Sequence, residues 1–311
     1  MSSTASPAAP ETRLGAPRRW APSPTWVRRI LLANLVGQVV IVVTGGAVRL
    51  TGSGLGCSTW PQCEPGQFTP VLHEAASWHP FIEFGNRTLS GVLVMLGIAT
   101  AWAVLSQHRS PGLRLLSLAP LIGVLAQAVL GGLTVLVDLN PALVGSHLLI
   151  SMLLIAASTA LVLREREPDR PTRPLVDRRT TLLTAALVPL TAVVLALGVV
   201  VTGSGPHSGD EDAAYRFALD PVMVARLHSA SVWAYLAVVV AVLVLARRAV
   251  APPAIRAATI LLGVALAQGL IGYVQYLTGL PVVLVGAHML GASLLVVAQT
   301  AQVFSVRTRQ G

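Results

Sequence analysis

Eight long apolar stretches, separated by polar segments rich in Arg, Pro and Gly, make up most of the chain. Each stretch has about the 20 residues that a helix needs to cross roughly 30 Å of hydrocarbon. Because backbone polar groups cannot remain unpaired in lipid, the spans are expected to be helical. We therefore predict an all-α membrane protein with eight transmembrane helices, at residues 27–49, 81–106, 114–137, 142–163, 181–202, 221–246, 256–277 and 281–305.

Composition and charge agree with a membrane protein and predict its orientation. Of the 311 residues, 54% are hydrophobic and only 11% are charged, whereas soluble domains carry about 25% charged residues. All 22 basic residues are arginine, and 18 of them lie in the tails and in alternate loops. This is the positive-inside pattern. It explains the net charge of +9 without nucleic acid as a partner.

The same pattern predicts a multi-pass protein of the plasma membrane with both termini in the cytoplasm. The two long connections, residues 51–79 and 203–220, are then extracytoplasmic loops, and we call the end of the protein that carries them the outer end. Residues 1–26 are rich in Pro, Ala, Ser and Arg and are predicted to be a disordered cytoplasmic tail without a cleaved signal peptide. Residues 164–180 are predicted to be a cytoplasmic linker, and residues 306–311 a short cytoplasmic tail.

An internal repeat divides the eight spans into two sets of four. Residues 125–149 align without gaps to residues 266–290, and the eleven identical positions include a Gln and a His that lie 20 residues apart in both copies. Since each copy contains an even number of helices, the copies have the same orientation and are related by an axis along the membrane normal. We therefore predict two pseudo-symmetric four-helix bundles, residues 27–163 and residues 181–305.

Three histidines lie at one depth near the outer ends of the spans. His147 and His288 are the repeated pair, His228 has a similar position in the sixth span, and the matching residue of the second span is Asn86. A rise of 1.5 Å per residue puts all four roughly 8–11 Å below the outer surface. Two imidazoles that face each other in a bundle can ligate a heme iron. We predict such a site at His228 and His288; structural hydrogen bonding between helices is the alternative.

The second span contains a charged group just inside the membrane. Glu83 and Asn86 are three residues apart and share a helix face, whereas Glu83 and Arg87 are four apart and can form a salt bridge. A carboxylate beside a cofactor cavity is also a candidate acid, base or cation stabiliser. Both interpretations of Glu83, structural and catalytic, stay open at this point.

The first outer loop holds the only two cysteines, Cys57 and Cys63. A disulfide between them is predicted, because the extracytoplasmic compartment is oxidising. The bond could staple the loop or could be a redox-active pair that passes electrons.

Four arginines on or near the outer face have the charge needed to bind the propionates of a heme: Arg49, Arg87, Arg216 and Arg226. Gly145 and Gly286, two residues before the repeated histidines, either make room for a flat macrocycle or allow two helices to approach closely.

Three segments together resemble the heme A synthase family, the integral-membrane enzymes of cytochrome oxidase assembly. They are TGGAVRLTGSGLGCSTWPQC (44–63), EFGNR (83–87) and the duplicated Gln–His helices, and the resemblance covers residues 27–305. Neither lipid solubility nor helix packing demands the first of these patterns, so it is the most specific. The resemblance implies that heme O is the substrate and that its C8 methyl group is oxidised to the formyl group of heme A through hydroxylated intermediates.

The resemblance also implies roles for individual residues. The C-terminal bundle holds a heme b cofactor between two histidines that match His228 and His288. The N-terminal bundle receives heme O, with Asn86 and Arg87 beside it. The iron ligand of this substrate heme, the essential glutamate and the cysteine pair of the family match His147, Glu83, Cys57 and Cys63.

One position departs from the family pattern. Many members have a histidine where this chain has Asn86, and Asn is a poor ligand for heme iron. The N-terminal half then has one clear axial ligand, His147. The resemblance is compatible with a complex with the enzyme that makes heme O and with a homo-oligomer.

Two other functions use the same features. A quinol-linked heme b cytochrome would need the histidines for electron transfer alone, and a transporter would also contain internal repeats. Asn86 argues against the cytochrome, because one half lacks a ligand pair. The histidine pattern argues against the transporter.

Overall fold

The eight predicted spans are present as helices in the computed structural model, which describes residues 21–71, 77–207, 209–210 and 215–309. Within this part of the chain, eight helical segments are long and apolar enough to cross a membrane. The helices are α1 (Pro24–Leu50), α2 (His79–Leu105), α3 (Pro111–Leu116), α4 (Ala119–Leu136), α5 (Pro141–Glu165), α6 (Arg178–Ser204), α7 (Pro221–Arg248), α8 (Pro252–Leu277) and α9 (Val282–Ser305). The prediction of an all-α protein with eight membrane-spanning helices is confirmed.

Two details of the helix boundaries differ from the prediction. The third span is interrupted between α3 and α4 at Ser117 and Leu118, although the two helices together form one apolar segment. Helix α1 begins at Pro24, inside the segment predicted to be a disordered tail, because proline is well suited to the first turn of a helix. Residues 1–20 of that predicted tail lie outside the described residues.

A short strand pair joins the predicted linker to the C-terminal segment. Strand β1 (Arg173–Pro174) pairs antiparallel with β2 (Arg307–Thr308). The sequence pattern did not predict these strands, since two residues are too few to show an alternation. Residues 310–311 of the predicted tail lie outside the described residues.

The helices pack as two rings of four. In the first ring α1 contacts α2, α2 contacts α4, α4 contacts α5, and α5 contacts α1; α6, α7, α8 and α9 repeat this order. Helices α2 and α5 are therefore diagonal in one bundle, as are α7 and α9 in the other. Between the bundles α5 packs on α9, and the α1–α9 contact is matched by the α6–α5 contact. A pseudo-twofold axis that exchanges α1 with α6 and α5 with α9 relates these contacts to each other. The predicted pair of pseudo-symmetric bundles is therefore confirmed.

The apolar cores fill the halves of the bundles that lie away from the outer end. In the C-terminal bundle Leu187, Tyr235 and Leu261 are almost completely buried, and Val27 and Leu161 have the same place in the N-terminal bundle. Large apolar side chains that point away from both cores stay exposed, as lipid-facing residues do. The outer halves are left to polar and small residues, and these build the candidate site.

Candidate functional site

The outer half of the N-terminal bundle encloses a cavity of about 310 Å³, which lies within the range of roughly 300–1,000 Å³ typical of ligand pockets. Helices α1, α2, α4 and α5 form its walls. Tyr215 and Arg216, from the loop before α7, also line it, so the C-terminal half contributes to a cavity in the N-terminal half. The predicted substrate-site residues all line this one cavity: Glu83, Asn86, Arg87 and His147.

Glu83 is a buried carboxylate, 6% exposed, near the start of α2. Its Oε2 accepts a hydrogen bond from the backbone N–H of Cys57 at 2.7 Å, and its Oε1 accepts from Nε of Arg87 at 3.1 Å. The salt bridge allowed by the sequence therefore forms. A buried charge needs such a partner and a hydrogen-bond donor. Because Glu83 also lines the cavity, the ion pair and a chemical role are compatible.

Arg87 connects this ion pair to the outer loop. Its Nη1 donates to the backbone carbonyls of Thr59 at 3.0 Å and Gln62 at 3.2 Å. Both carbonyls lie within the loop that the predicted disulfide between Cys57 and Cys63 closes; the disulfide is present, and both cysteines are completely buried. The disulfide loop and the carboxylate of Glu83 therefore hold each other in position.

Two glycines allow this loop to approach the helices closely. A Cβ on Gly132 of α4 would lie 2.5 Å from Cδ2 of Trp60, and a Cβ on Gly56 would lie 2.4 Å from the carbonyl carbon of His79. Real Cβ atoms do not come so near to other atoms, so larger residues would displace the loop. Trp60 lines the cavity.

The repeated Gln and His form the same contact in both bundles. In the N-terminal bundle, Nε2 of Gln127 donates to the backbone carbonyl of His147 at 2.8 Å. In the C-terminal bundle, Nε2 of Gln268 donates to the carbonyl of His288 at 2.9 Å. Each glutamine thus links two neighbouring helices at the level of the histidine. This contact explains why the Gln–His spacing is duplicated.

Each of these histidine rings also lies against a glycine. A Cβ on Gly131 would lie 3.2 Å from Nε2 of His147, and a Cβ on Gly272 would lie 3.4 Å from Cε1 of His288. The sequence interpretation missed these two glycines. They are among the eleven identical positions of the repeat, and that identity was the signal that could have found them.

His228 has the same type of environment on α7. A Cβ on Gly198 would lie 3.3 Å from its Cε1, and its Nδ1 lies 3.1 Å from the backbone carbonyl of Val194. Donation from Nδ1–H leaves Nε2 with its lone pair free, as a metal-ligating imidazole requires. His288 lies on the diagonal helix α9. Its Nδ1 is buried without a hydrogen-bond partner in the described part of the chain. These features fit a heme between the two rings.

Asn86 takes the corresponding place on α2. Its Oδ1 lies 2.8 Å from the hydroxyl of Thr44 on α1. The amide is therefore already hydrogen-bonded to a neighbouring helix, and among the residues that the structure describes His147 is the one imidazole lining the N-terminal cavity.

Two of the outer arginines lie at the junction of the halves. Nη2 of Arg49 donates to the carbonyl of Thr202 at 2.7 Å, and Nε of Arg216 donates to the carbonyl of Gly205 at 2.7 Å. Both line the cavity, and Nε of Arg49 is buried without a partner among the described residues. Arg226, in contrast, is exposed on α7 and does not line the cavity.

The two glycines that precede the repeated histidines have different surroundings. A Cβ on Gly145 would lie 2.3 Å from Cγ1 of Val199, so this glycine permits the close approach of α5 and α6. At Gly286 the nearest atom to such a Cβ is Cδ1 of Leu50 at 3.8 Å, which is ordinary contact. Of the two interpretations open for Gly145, close helix contact therefore has a direct structural basis.

Comparisons with known proteins point to one family. The family model COX15-CtaA, described as cytochrome oxidase assembly protein, matches residues 28–300. A heme A synthase of Bacillus pumilus is 35% identical over 153 residues, covering 48% of each chain. One from Shewanella oneidensis is 29% identical over 197 residues, covering 59% of this chain and 57% of its own. One from Geobacillus thermodenitrificans is 30% identical over 139 residues, covering 44% and 42%. The chain spans about half the length of the curated relatives that it matches.

Proposed function

Because the chain belongs to the COX15-CtaA family of cytochrome oxidase assembly proteins, we propose that it is a heme A synthase. It oxidises the C8 methyl group of heme O, through hydroxylated intermediates, to the formyl group of heme A. The observation that carries this proposal is the cavity in the N-terminal bundle, where a buried carboxylate and an imidazole line one pocket. The relatives described above as heme A synthases support it.

In the proposed reaction His147 and Glu83 have different roles. His147, held by Gln127 and Gly131, binds the iron of heme O and fixes the plane of the substrate. Glu83 stabilises positive charge at the carbon being oxidised or accepts a proton from it. The two donors to Glu83 keep its carboxylate in one orientation, so it is preorganised for this task.

His228 and His288 would hold the heme b cofactor in the C-terminal bundle. When bound, heme b supplies one-electron transfer. The contribution of the chain is to fix the imidazoles. The carbonyl of Val194 selects the tautomer of His228, and Gln268 fixes the backbone at His288.

Arg49 and Arg216 would bind the propionates of heme O. Both guanidinium groups line the cavity, one from each half of the chain, and carboxylates are the natural partners of guanidinium groups. This assignment also suggests why the loop before α7 reaches across to the N-terminal cavity, since substrate binding would then need both halves.

If these arginines bind the substrate, substituting them should change KM more than kcat. We expect Arg49→Gln to raise the KM for heme O about tenfold, with kcat changed less than about twofold, because a lost charge-assisted hydrogen bond is worth roughly 1.5–3 kcal/mol. Steady-state kinetics with heme O and with its propionate dimethyl ester would measure this effect. The ester should show no difference between the variant and the unaltered protein.

The exposed Arg226 provides the control for this experiment. Arg226→Gln removes the same charge from the outer face and should leave KM unchanged. An equal rise of KM in Arg226→Gln, or a persistent difference with the ester, would refute propionate binding by Arg49.

Mass analysis of the hemes extracted from the purified protein, expressed together with a source of heme O, tests the proposed function as a whole. A synthase should yield heme b together with heme O, a hydroxylated heme O or heme A. If heme b alone were recovered despite the supply of heme O, the protein would be an electron-transfer cytochrome and Glu83 a structural ion-pair partner.

A further inference from the structure

A second cavity, of about 540 Å³, lies at the end of the protein opposite the candidate site. We call it the inner pocket. It is formed by α3, the segment after α5, the end of α9 and strand β2. It lies where the N-terminal bundle, the linker and the C-terminal segment meet. Its lining residues are Ser110, Gly112, Leu113, Leu116, Arg164, Asp169, Arg170, Pro171, Phe304, Arg307 and Arg309.

Arginines outnumber carboxylates around this pocket. Four arginines and one aspartate line it. Arg109 and Glu167 do not line it but form ion pairs with lining residues. Asp169 pairs with Arg164 at 2.7 Å and with Arg109 at 3.3 Å, so one carboxylate serves two cations. Glu167 is shared in the same way by Arg164 and Arg309. The internal ion pairs therefore leave an excess of positive charge.

Asp169 remains ionised in this arrangement. Partial burial acts to raise its pKa, but hydrogen bonds from Ser110 and the charges of Arg109 and Arg164 more than offset this effect and lower the pKa. The pocket therefore carries an excess of positive charge even though its carboxylate is ionised.

The guanidinium of Arg307 is only partly satisfied by the described residues. Its guanidinium lies 4.4 Å from the centroid of the Phe304 ring. Its Nε is buried and has no hydrogen-bond partner in the described ranges. Burial lowers the pKa of Arg307; Glu167 opposes this shift, and Arg309 and Arg164 add to it. An anion in the pocket would relieve this unfavourable position.

We propose that the inner pocket binds a phosphate group through Arg307, Arg309 and Arg170. Phosphate oxygens accept from several guanidinium groups at once, and basic pockets at the membrane ends of helices are a known arrangement for anionic headgroups. The source of the phosphate is an anionic phospholipid or a free phosphate anion. Leu113 and Leu116 line the pocket beside the arginines, and Leu115 next to them is 72% exposed, so α3 offers an apolar path for acyl chains.

Phosphate bound here would connect the two halves of the protein. Arg164 lies in the last turn of α5 and Arg170 follows that helix, whereas Arg307 and Arg309 follow the last helix of the C-terminal bundle. Since β1 pairs with β2 at this same place, the ligand would reinforce an existing junction. Bound phosphate should therefore raise the thermal stability of the whole chain.

The test is a titration of the delipidated protein in a neutral detergent, in which the unfolding temperature is measured at each ligand concentration. The ligands are a short-chain phosphatidylglycerol, phosphatidylcholine with the same chains, and inorganic phosphate. Phosphatidylglycerol should stabilise the protein at concentrations where phosphatidylcholine does not. Stabilisation by inorganic phosphate at equal concentration would assign the pocket to a free anion. Equal effects of both lipids, or no effect of any ligand, would overturn the proposal.

Three substitutions connect the effect to the pocket. Arg307→Gln and Arg170→Gln should each weaken the apparent affinity about fivefold or more, since a basic residue near a headgroup contributes about 1 kcal/mol. Arg248→Gln is the matched control, because Arg248 is exposed at the end of α7 and does not line the pocket. Because Arg170 is exposed, its substitution should still fold even if Arg307→Gln does not. Unchanged affinity in Arg170→Gln and Arg307→Gln would contradict the proposal.

Discussion

Replacing Glu83 with glutamine is expected to lower heme A formation by at least about a hundredfold while heme b stays bound. Glutamine keeps the length of the side chain and an oxygen that can accept from the N–H of Cys57. It removes the negative charge, which is the property that stabilises a cationic centre or accepts a proton; effects of this kind are typically worth about 10²–10⁴ in rate. Product analysis by mass spectrometry, with heme b absorbance as the folding control, measures both results.

Glu64→Gln is the matched control for this substitution. Glu64 lies in the same outer loop, next to Cys63, but does not line the cavity. Its substitution should leave product formation unchanged. Full heme A formation by Glu83→Gln would show that the carboxylate serves only as the partner of Arg87. Loss of heme b together with the product would indicate a folding defect, and Glu83→Asp would then be compared.

The helices could be predicted because hydropathy alone requires them, whereas hydropathy does not show the interruption of the third span. Ser117 and Leu118 lie within an apolar run, but Pro120, in the first turn of α4, lacks the N–H that a continuous helix would need and was a signal of the break. Serine 117 is completely buried, and its hydroxyl donates to the carbonyl of Arg114. The position of this turn thus depends on local hydrogen bonding that periodicity does not record.

For the candidate site, the repeat located the histidines but not their surroundings. It placed His147 and His288 at equivalent depths because helical rise converts residue number into height. The loop carrying Arg216 reaches the N-terminal cavity only through packing between the halves, such as the contact of Arg49 with Thr202. Those two residues are 153 positions apart. No local pattern predicts a contact between residues so far apart in the chain.

Asn86 gives the two bundles different chemistry within one framework. In the C-terminal bundle the two diagonal helices each carry a histidine, which would suit a heme that stays bound. In the N-terminal bundle one imidazole and one amide line the same cavity, and the amide is hydrogen-bonded to Thr44. A heme held there through one protein ligand would dissociate more readily, as a substrate that becomes a product must. The difference in the number of histidines between the two bundles therefore argues against an electron-transfer cytochrome and favours a synthase.

Retention of heme b should depend on the C-terminal histidines alone. We expect His228→Ala and His288→Ala to lose most of the bound heme b, because each would remove one of the two proposed ligands. His147→Ala should retain heme b and lose heme O binding. Pyridine hemochrome spectra and mass analysis of the extracted hemes distinguish these cases. His207→Ala, which alters an outer-loop histidine that contacts the carbonyl of Leu280, should behave like the unaltered protein.

A pair of glycine substitutions on α8 tests the same site without removing a ligand. A Cβ on Gly272 would already lie 3.4 Å from the His288 ring, so the further methyl groups of Gly272→Val must push that imidazole aside. We expect a loss of heme b of at least about tenfold, since displacement of a metal ligand or its support typically costs 10–100-fold in affinity. Gly269→Val is the control, because nothing lies within 4 Å of a Cβ at that position on the same helix. Equal heme b content in the two variants would mean that His288 does not ligate the heme from the position seen here, and the ligand pair in the C-terminal bundle would have to be reassigned.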